Sequence, residues 1–157
     1  MDHKRFEKGY LPLFLSYYKP HLNLFLLDMC CALGIALVDL AFPYASRMAL
    51  NELLPQNLFG AFFAVMAVLL LAYGLRAGMN YVVTYWGHMM GVRIEADIRR
   101  DLFYHMQDLS FSFYDKNRTG QLMSRATNDL FEITELSHHG PEDLFISVVT
   151  LGGAFVL

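Results

Sequence analysis

A charge-free apolar run in the middle of the chain restricts what it can fold into. Residues 60–75 read GAFFAVMAVLLLAYGL and contain no Asp, Glu, Lys or Arg. The apolar character continues past Arg76 to Trp86. A helix needs about 20 mostly apolar residues to cross a hydrocarbon core about 30 Å thick. The sequence therefore predicts a transmembrane helix that begins near Phe59 and ends its membrane-spanning part near Met89.

Two further apolar stretches flank this helix. Residues 22–54 are long enough to span a membrane, and a short polar turn at 55–57 joins them to the next helix. Such a short turn indicates an antiparallel helical hairpin. Another apolar run begins near Leu144, and the sequence stops 14 residues into it. We expect residues 128–157 to form the start of a third helix, so the chain reads as a fragment of a polytopic all-α membrane protein.

The positions of the charged residues predict the orientation. Residues 22–86 contain five charged side chains, whereas residues 87–143 contain 16, six basic and ten acidic. Basic residues of short flanking segments favour the cytoplasmic side. We therefore expect the N terminus and residues 87–143 to lie in the cytoplasm, in a multi-pass protein of the plasma membrane. The net charge of −3 argues against a nucleic-acid partner, because phosphate binding needs a basic surface.

Residues 1–21 combine four basic side chains with apolar and tyrosine positions. No small-residue cleavage site follows them, so they are not a secretory signal. We expect a cytoplasmic elbow segment that lies in the membrane interface and turns upward at Pro20. A disordered tail is the alternative, although Leu11, Phe14 and Leu15 would be poorly placed in water.

The polar stretch that follows predicts a helix, a turn and a second helix. Apolar residues recur at helical spacing and lead us to extend the second helix over 59–114. They are Ile98, Leu102, Met106, Leu109 and Phe113. The turn-forming residues of YDKNRTG then end this helix. A short amphipathic helix is expected over 119–126. The N-cap types at 127–129, with Glu132 placed as in a capping box, predict that a new helix begins at 128.

This stretch resembles the membrane domain of ABC exporters of the multidrug, lipid and peptide class. The similarity is carried by RRDLFYHMQDLSFSFYDKNRTGQLMSRATNDLFEI, from Arg99 to Ile133. It implies an ABC exporter transmembrane domain, with long transmembrane helices that extend into the cytoplasm. It further implies a first coupling helix that docks on a nucleotide-binding domain, formed by Gly120, Gln121, Leu122, Met123, Ser124, Arg125 and Ala126.

The sequence contains neither the GxxxxGK[ST] phosphate loop nor the Ser-Gly-Gly-Gln signature of that family. The nucleotide-binding domain is therefore absent, and we assign this chain no catalytic residue and no cofactor. ATP and Mg²⁺ are implied for the full-length transporter. The implied partners are the nucleotide-binding domains of the same full-length chain and of its dimer partner, a second half-transporter, the bilayer, and an unidentified small-molecule, lipid or peptide substrate.

Three charged residues lie inside predicted spans, where ionisable side chains are expensive. They are Asp28, Asp39 and Arg76. By helix rise, either carboxylate is within reach of Arg76 across the hairpin. A structural ion pair and a role in the translocation path both remain open.

Two glycine pairs, Gly74 with Gly78 and Gly87 with Gly91, have a spacing that permits close helix approach. The adjacent His138 and His139 precede Gly140-Pro141. Because neighbouring side chains on a helix point about 100° apart, this pattern favours a kink over a metal site, and we predict no metal ligand.

The residues are compatible with two other classes of function. One is a membrane-anchored signalling or interaction protein whose cytoplasmic helical hairpin is a docking module. The other is a soluble helical domain in which the apolar helices form a buried core.

Overall fold

The computed structural model describes residues 9–156, and within this range it contains helices and turns but no β-strand. A 3₁₀ turn at Lys19–His21 precedes the helix Leu22–Met48, and a π-helical turn at Ala49–Leu53 follows that helix. The five α-helices are α1 (Tyr10–Ser16), α2 (Leu22–Met48), α3 (Phe59–Gln107), α4 (Phe111–Lys116) and α5 (Thr119–Val156). The predicted all-α class is confirmed.

Two helical segments are long and apolar enough to cross a membrane, judged by length and composition. They are Tyr10–Leu53 and Phe59–Gln107, with mean hydropathies of 2.2 and 1.9 over their most apolar windows. The 49 residues of α3 correspond to about 74 Å of helix, more than twice the hydrocarbon thickness. None of its apolar window is buried inside the chain. A soluble domain would bury such a helix, so the exposure favours a membrane protein.

The structure ends α3 at Gln107, seven residues before the predicted end at 114. The next two amides donate to carbonyls three residues back, Asp108 to His105 at 3.2 Å and Leu109 to Met106 at 3.3 Å, which tightens the last turn. Ser110 is extended and precedes α4, as an N-cap residue does. The apolar periodicity continues through this break, which is why the helix was predicted too long.

The predicted separate helix over 119–126 and the new start at 128 are wrong. α5 runs without interruption from Thr119 to Val156, through Pro141. Thr127 donates its hydroxyl to the carbonyl of Met123 at 2.8 Å, and Asn128 donates to the Ser124 hydroxyl at 3.4 Å. These residues therefore bond back along the same helix, an alternative open to Thr and Asn that a capping pattern does not reveal.

The described residues form two compact units. The first contains residues up to Leu26 together with Gly87–Pro141. Its core is built by Tyr17 and Tyr18, which are buried against Met90 and Ile94 of α3. The Tyr18 hydroxyl donates to the Ser137 carbonyl at 2.7 Å. Tyr17 and Tyr18 thus pack on two other helices, which contradicts the disordered-tail alternative for this part of the segment. Residues 1–8 of the predicted elbow lie outside the described residues.

The second unit contains Leu27–Trp86 together with the described residues from Glu142 onward. Small side chains bring its helices close. Ala32 and Ala36 of α2 are fully buried, and a Cβ added to Gly34 would meet the Met79 side chain. Large apolar side chains point outward along α3, among them Leu70 at 76% and Leu71 at 73% exposure. This surface is suited to contact with lipid.

Candidate functional site

The link between α3 and α5 carries the residues predicted to couple the chain to a partner domain. Phe111, at the start of α4, is 91% exposed, and Met123 in α5 is 52% exposed. The predicted set is residues 120–126 and does not include Phe111. Besides Met123, its exposed members are Gly120, Gln121, Ser124 and Arg125, whereas Leu122 and Ala126 are half-buried. The set therefore forms the first turns of α5, and its side chains divide between two faces.

The half-buried face lines a groove of about 510 Å³. Leu122 and Ala126 lie on one side of it. The opposite side is formed by the five residues of the predicted apolar face, Ile98, Leu102, Met106, Leu109 and Phe113. The five residues therefore do share one side, although only three of them belong to α3, and the structure adds that this side meets α5. Met123 does not join Leu122 there and instead borders a smaller cavity beside Phe103.

Hydrogen bonds within the link hold α4 in place. Tyr114 donates its hydroxyl to the Met106 carbonyl, and the Asn117 side chain donates to the Phe113 carbonyl at 2.9 Å. α4 is thus fixed to the end of α3, with Phe111 left outside. Sequence reasoning missed α4 as a separate helix, although Ser110, an N-cap type before two aromatics, was a signal for it.

Within the second unit, the arginine of the predicted span is paired with one of the two candidate carboxylates. Arg76 donates from Nε to Asp39 Oδ1 at 2.7 Å and from Nη2 to Asp39 Oδ2 at 2.9 Å. This bidentate geometry is the strong form of the interaction. The Arg76 guanidinium also lies 5.8 Å from the ring centre of Tyr73. Asp28 is 1% exposed and is not the residue that chelates Arg76.

In the first unit, polar contacts attach the N-terminal segment to the side of α3. Tyr17 donates its hydroxyl to Asp101 at 3.0 Å, and His21 Nε2 lies 3.0 Å from Asp97 Oδ2. Asp97 also accepts from Arg100 at 2.9 Å. α3 therefore carries both the N-terminal segment and the groove beside α5.

A comparison with known protein families identifies the family to which this helical architecture belongs. Residues 25–157 match the model of the ABC transporter transmembrane region. The chain belongs to this family. Its expected membership in the ABC exporters is thereby confirmed.

Three relatives show how far the similarity reaches. The uncharacterized ABC transporter ATP-binding protein YwjA of Bacillus subtilis is 51% identical over 90% of this chain and 25% of its own length. The ATP-dependent lipid A-core flippase of Idiomarina loihiensis is 27% identical over 99% of the chain and 26% of its own length. The flippase of the same name from Shewanella sp. MR-4 is 33% identical over 78% of the chain and 24% of its own length. The ABC transporter segment described here thus spans about a quarter of these relatives.

Proposed function

We propose that this chain forms the N-terminal part of the translocation path of an ATP-driven exporter and couples that path to ATP hydrolysis elsewhere. The observation that carries the proposal is the exposed aromatic and apolar surface of the α3–α5 link, in a chain that belongs to the ABC transporter transmembrane region. Phe111 is 91% exposed beside this surface, and an aromatic side chain in such a position can insert into a pocket of a partner.

The docking partner is a nucleotide-binding domain that binds ATP and Mg²⁺. Two relatives are named as ATP-dependent flippases, and about three quarters of their length lies outside the matched segment. We assign the contact to Phe111 and Met123, with Gln121, Ser124 and Arg125 supplying polar groups at its edge. This extends the contact predicted from sequence to α4, because the structure exposes that short helix at the end of the link.

In this proposal, residues 87–143 and the N terminus face the cytoplasm of a multi-pass plasma membrane protein. A second half-transporter completes the translocation path, and ATP binding drives the change between inward-open and outward-open states. α3 is one unbroken helix from Phe59 to Gln107. α3 contains no proline that would kink it, so we expect a displacement of α4 to be transmitted along α3 to the membrane-spanning part.

The test uses the full-length transporter reconstituted in lipid nanodiscs. Phe111→Glu and Met123→Glu place a charge on the proposed contact. We expect ATP affinity to be unchanged and the ATP-driven distance change between spin labels on the two half-transporters to fall at least tenfold in amplitude. The matched control is Phe131→Glu, an exposed position (59%) on the same helix, about 12 Å along from Met123.

An unchanged distance response in both link variants would reject the assigned contact. If Phe131→Glu reduces the response as strongly as the link variants, the effect comes from added charge on α5 and not from docking.

A further inference from the structure

The structure brings three histidines together within the first unit. His88 of α3 lies beside His138 and His139 of α5, with ring centres 4.8 Å and 5.7 Å from His88. The rings of His138 and His139 are themselves 4.5 Å apart. One nitrogen from each ring lies within 4.8 Å of the others. Local sequence relates only the adjacent His138 and His139, whereas His88 lies 50 positions before His138 in the chain.

Two glycines of α3 allow α5 to pack closely beside the histidine cluster. A Cβ added to Gly87 would collide with the imidazole of His138, and one added to Gly91 would lie 3.1 Å from Thr134. The absence of both side chains lets α5 approach α3 closely, which seats the His138 ring against the α3 backbone. His138 is 3% exposed, whereas His88 and His139 are exposed. The cluster therefore has one fixed ring and two that solvent can reach.

We infer that His88, His138 and His139 form a binding site for a divalent transition metal ion of the zinc class. Imidazole nitrogen is a preferred ligand of Zn²⁺, Cu²⁺ and Ni²⁺, and three histidines with one open position are a known zinc arrangement. Glu135 Oε2 lies 3.6 Å from His139 Nε2, beyond hydrogen-bond distance but close enough to add negative charge beside the cation.

The distances allow coordination after a small adjustment. Ligand nitrogens on a tetrahedral zinc lie about 3.3 Å apart, since each bond is about 2.0–2.1 Å. The observed upper limit of 4.8 Å must therefore shorten by roughly 1.5 Å. Rotation of the two exposed rings toward the buried one supplies this movement. A bound ion would then link α3 to α5 near the predicted end of the membrane-spanning part, and a water molecule would take the fourth position.

The experiment uses the full chain in lipid nanodiscs, purified with a tag that contains no histidine. Zinc is supplied as ZnCl₂ and bound zinc is measured by equilibrium dialysis with elemental analysis. Co²⁺ serves as a second probe, because its visible absorption reports tetrahedral coordination. We expect one zinc per chain, a tetrahedral cobalt spectrum and a melting temperature that rises with zinc concentration.

His88→Ala and His139→Ala change exposed rings, and circular dichroism checks that the helices are retained. We expect both to abolish stoichiometric zinc binding and the cobalt spectrum. Glu135→Gln removes a nearby negative charge and should weaken zinc binding, by less than the loss of a histidine ligand does. The matched control, His105→Ala, removes an exposed histidine from α3 about 25 Å away and should bind zinc as the unaltered chain does.

The inference is overturned if the unaltered chain binds no more zinc than His88→Ala, or if His105→Ala loses binding equally. These readouts need no ATP, nucleotide-binding domain or substrate, so their outcome is independent of the transport proposal.

Discussion

Removal of the Asp39 carboxylate provides the sharpest test of the pairing seen in the second unit. In Asp39→Asn, the guanidinium of Arg76 loses a bidentate partner at 2.7 and 2.9 Å. Breaking a fully buried ion pair costs about 3–5 kcal/mol. Here the two side chains are 33% and 39% exposed, so we scale this to about 2 kcal/mol, which corresponds to roughly 30-fold in the unfolding equilibrium.

A double-mutant cycle isolates the pair from other effects of each substitution. The cycle compares Asp39→Asn, Arg76→Gln and the double variant of this chain by reversible unfolding in mixed micelles, followed by circular dichroism. We expect a coupling free energy of about 2 kcal/mol, because the double variant leaves no unpaired charge. A matched cycle on Asp97 and Arg100, a pair one helical turn apart whose side chains are 22% and 61% exposed, should give less than about 0.5 kcal/mol, as ion pairs within one helix do.

Equal coupling in the two cycles would refute the reasoning, since the Asp39–Arg76 pair would then be no stronger than a pair one turn apart on a single helix. A stability loss that is unaccompanied by altered transport in the full-length protein would assign the pair a structural role. Altered transport at unchanged stability would instead place it in the translocation path.

Two further substitutions test the packing of the first unit by thermal unfolding in detergent. Tyr18→Phe removes the hydroxyl that donates to Ser137 and should cost about 1 kcal/mol of unfolding free energy, with no loss if that hydrogen bond is absent in solution. Gly87→Ala places a methyl group against His138 and should cost about 1–3 kcal/mol, whereas Gly74→Ala meets no atom within 4 Å and should not destabilise. Equal behaviour of the two alanine variants would contradict the close approach at Gly87.

The glycine pairs illustrate where sequence reasoning stops. Both have the same spacing, yet Gly87 and Gly91 face α5 while Gly74 and Gly78 face open space within the described residues. The glycine spacing indicates only that another helix can approach closely. Which pair is used depends on where the other helices pack, which the local sequence does not contain.

Long apolar runs, helical periodicity and the family resemblance were enough to determine an all-helical membrane chain and the apolar residues that share one face of the second predicted helix. These properties follow from local composition and from the 3.6-residue repeat, which act within one segment. The pairing of Arg76 with Asp39 and the approach of His88 to His138 were decided by the tertiary structure. Each joins residues far apart in the chain, and only packing selects among such alternatives.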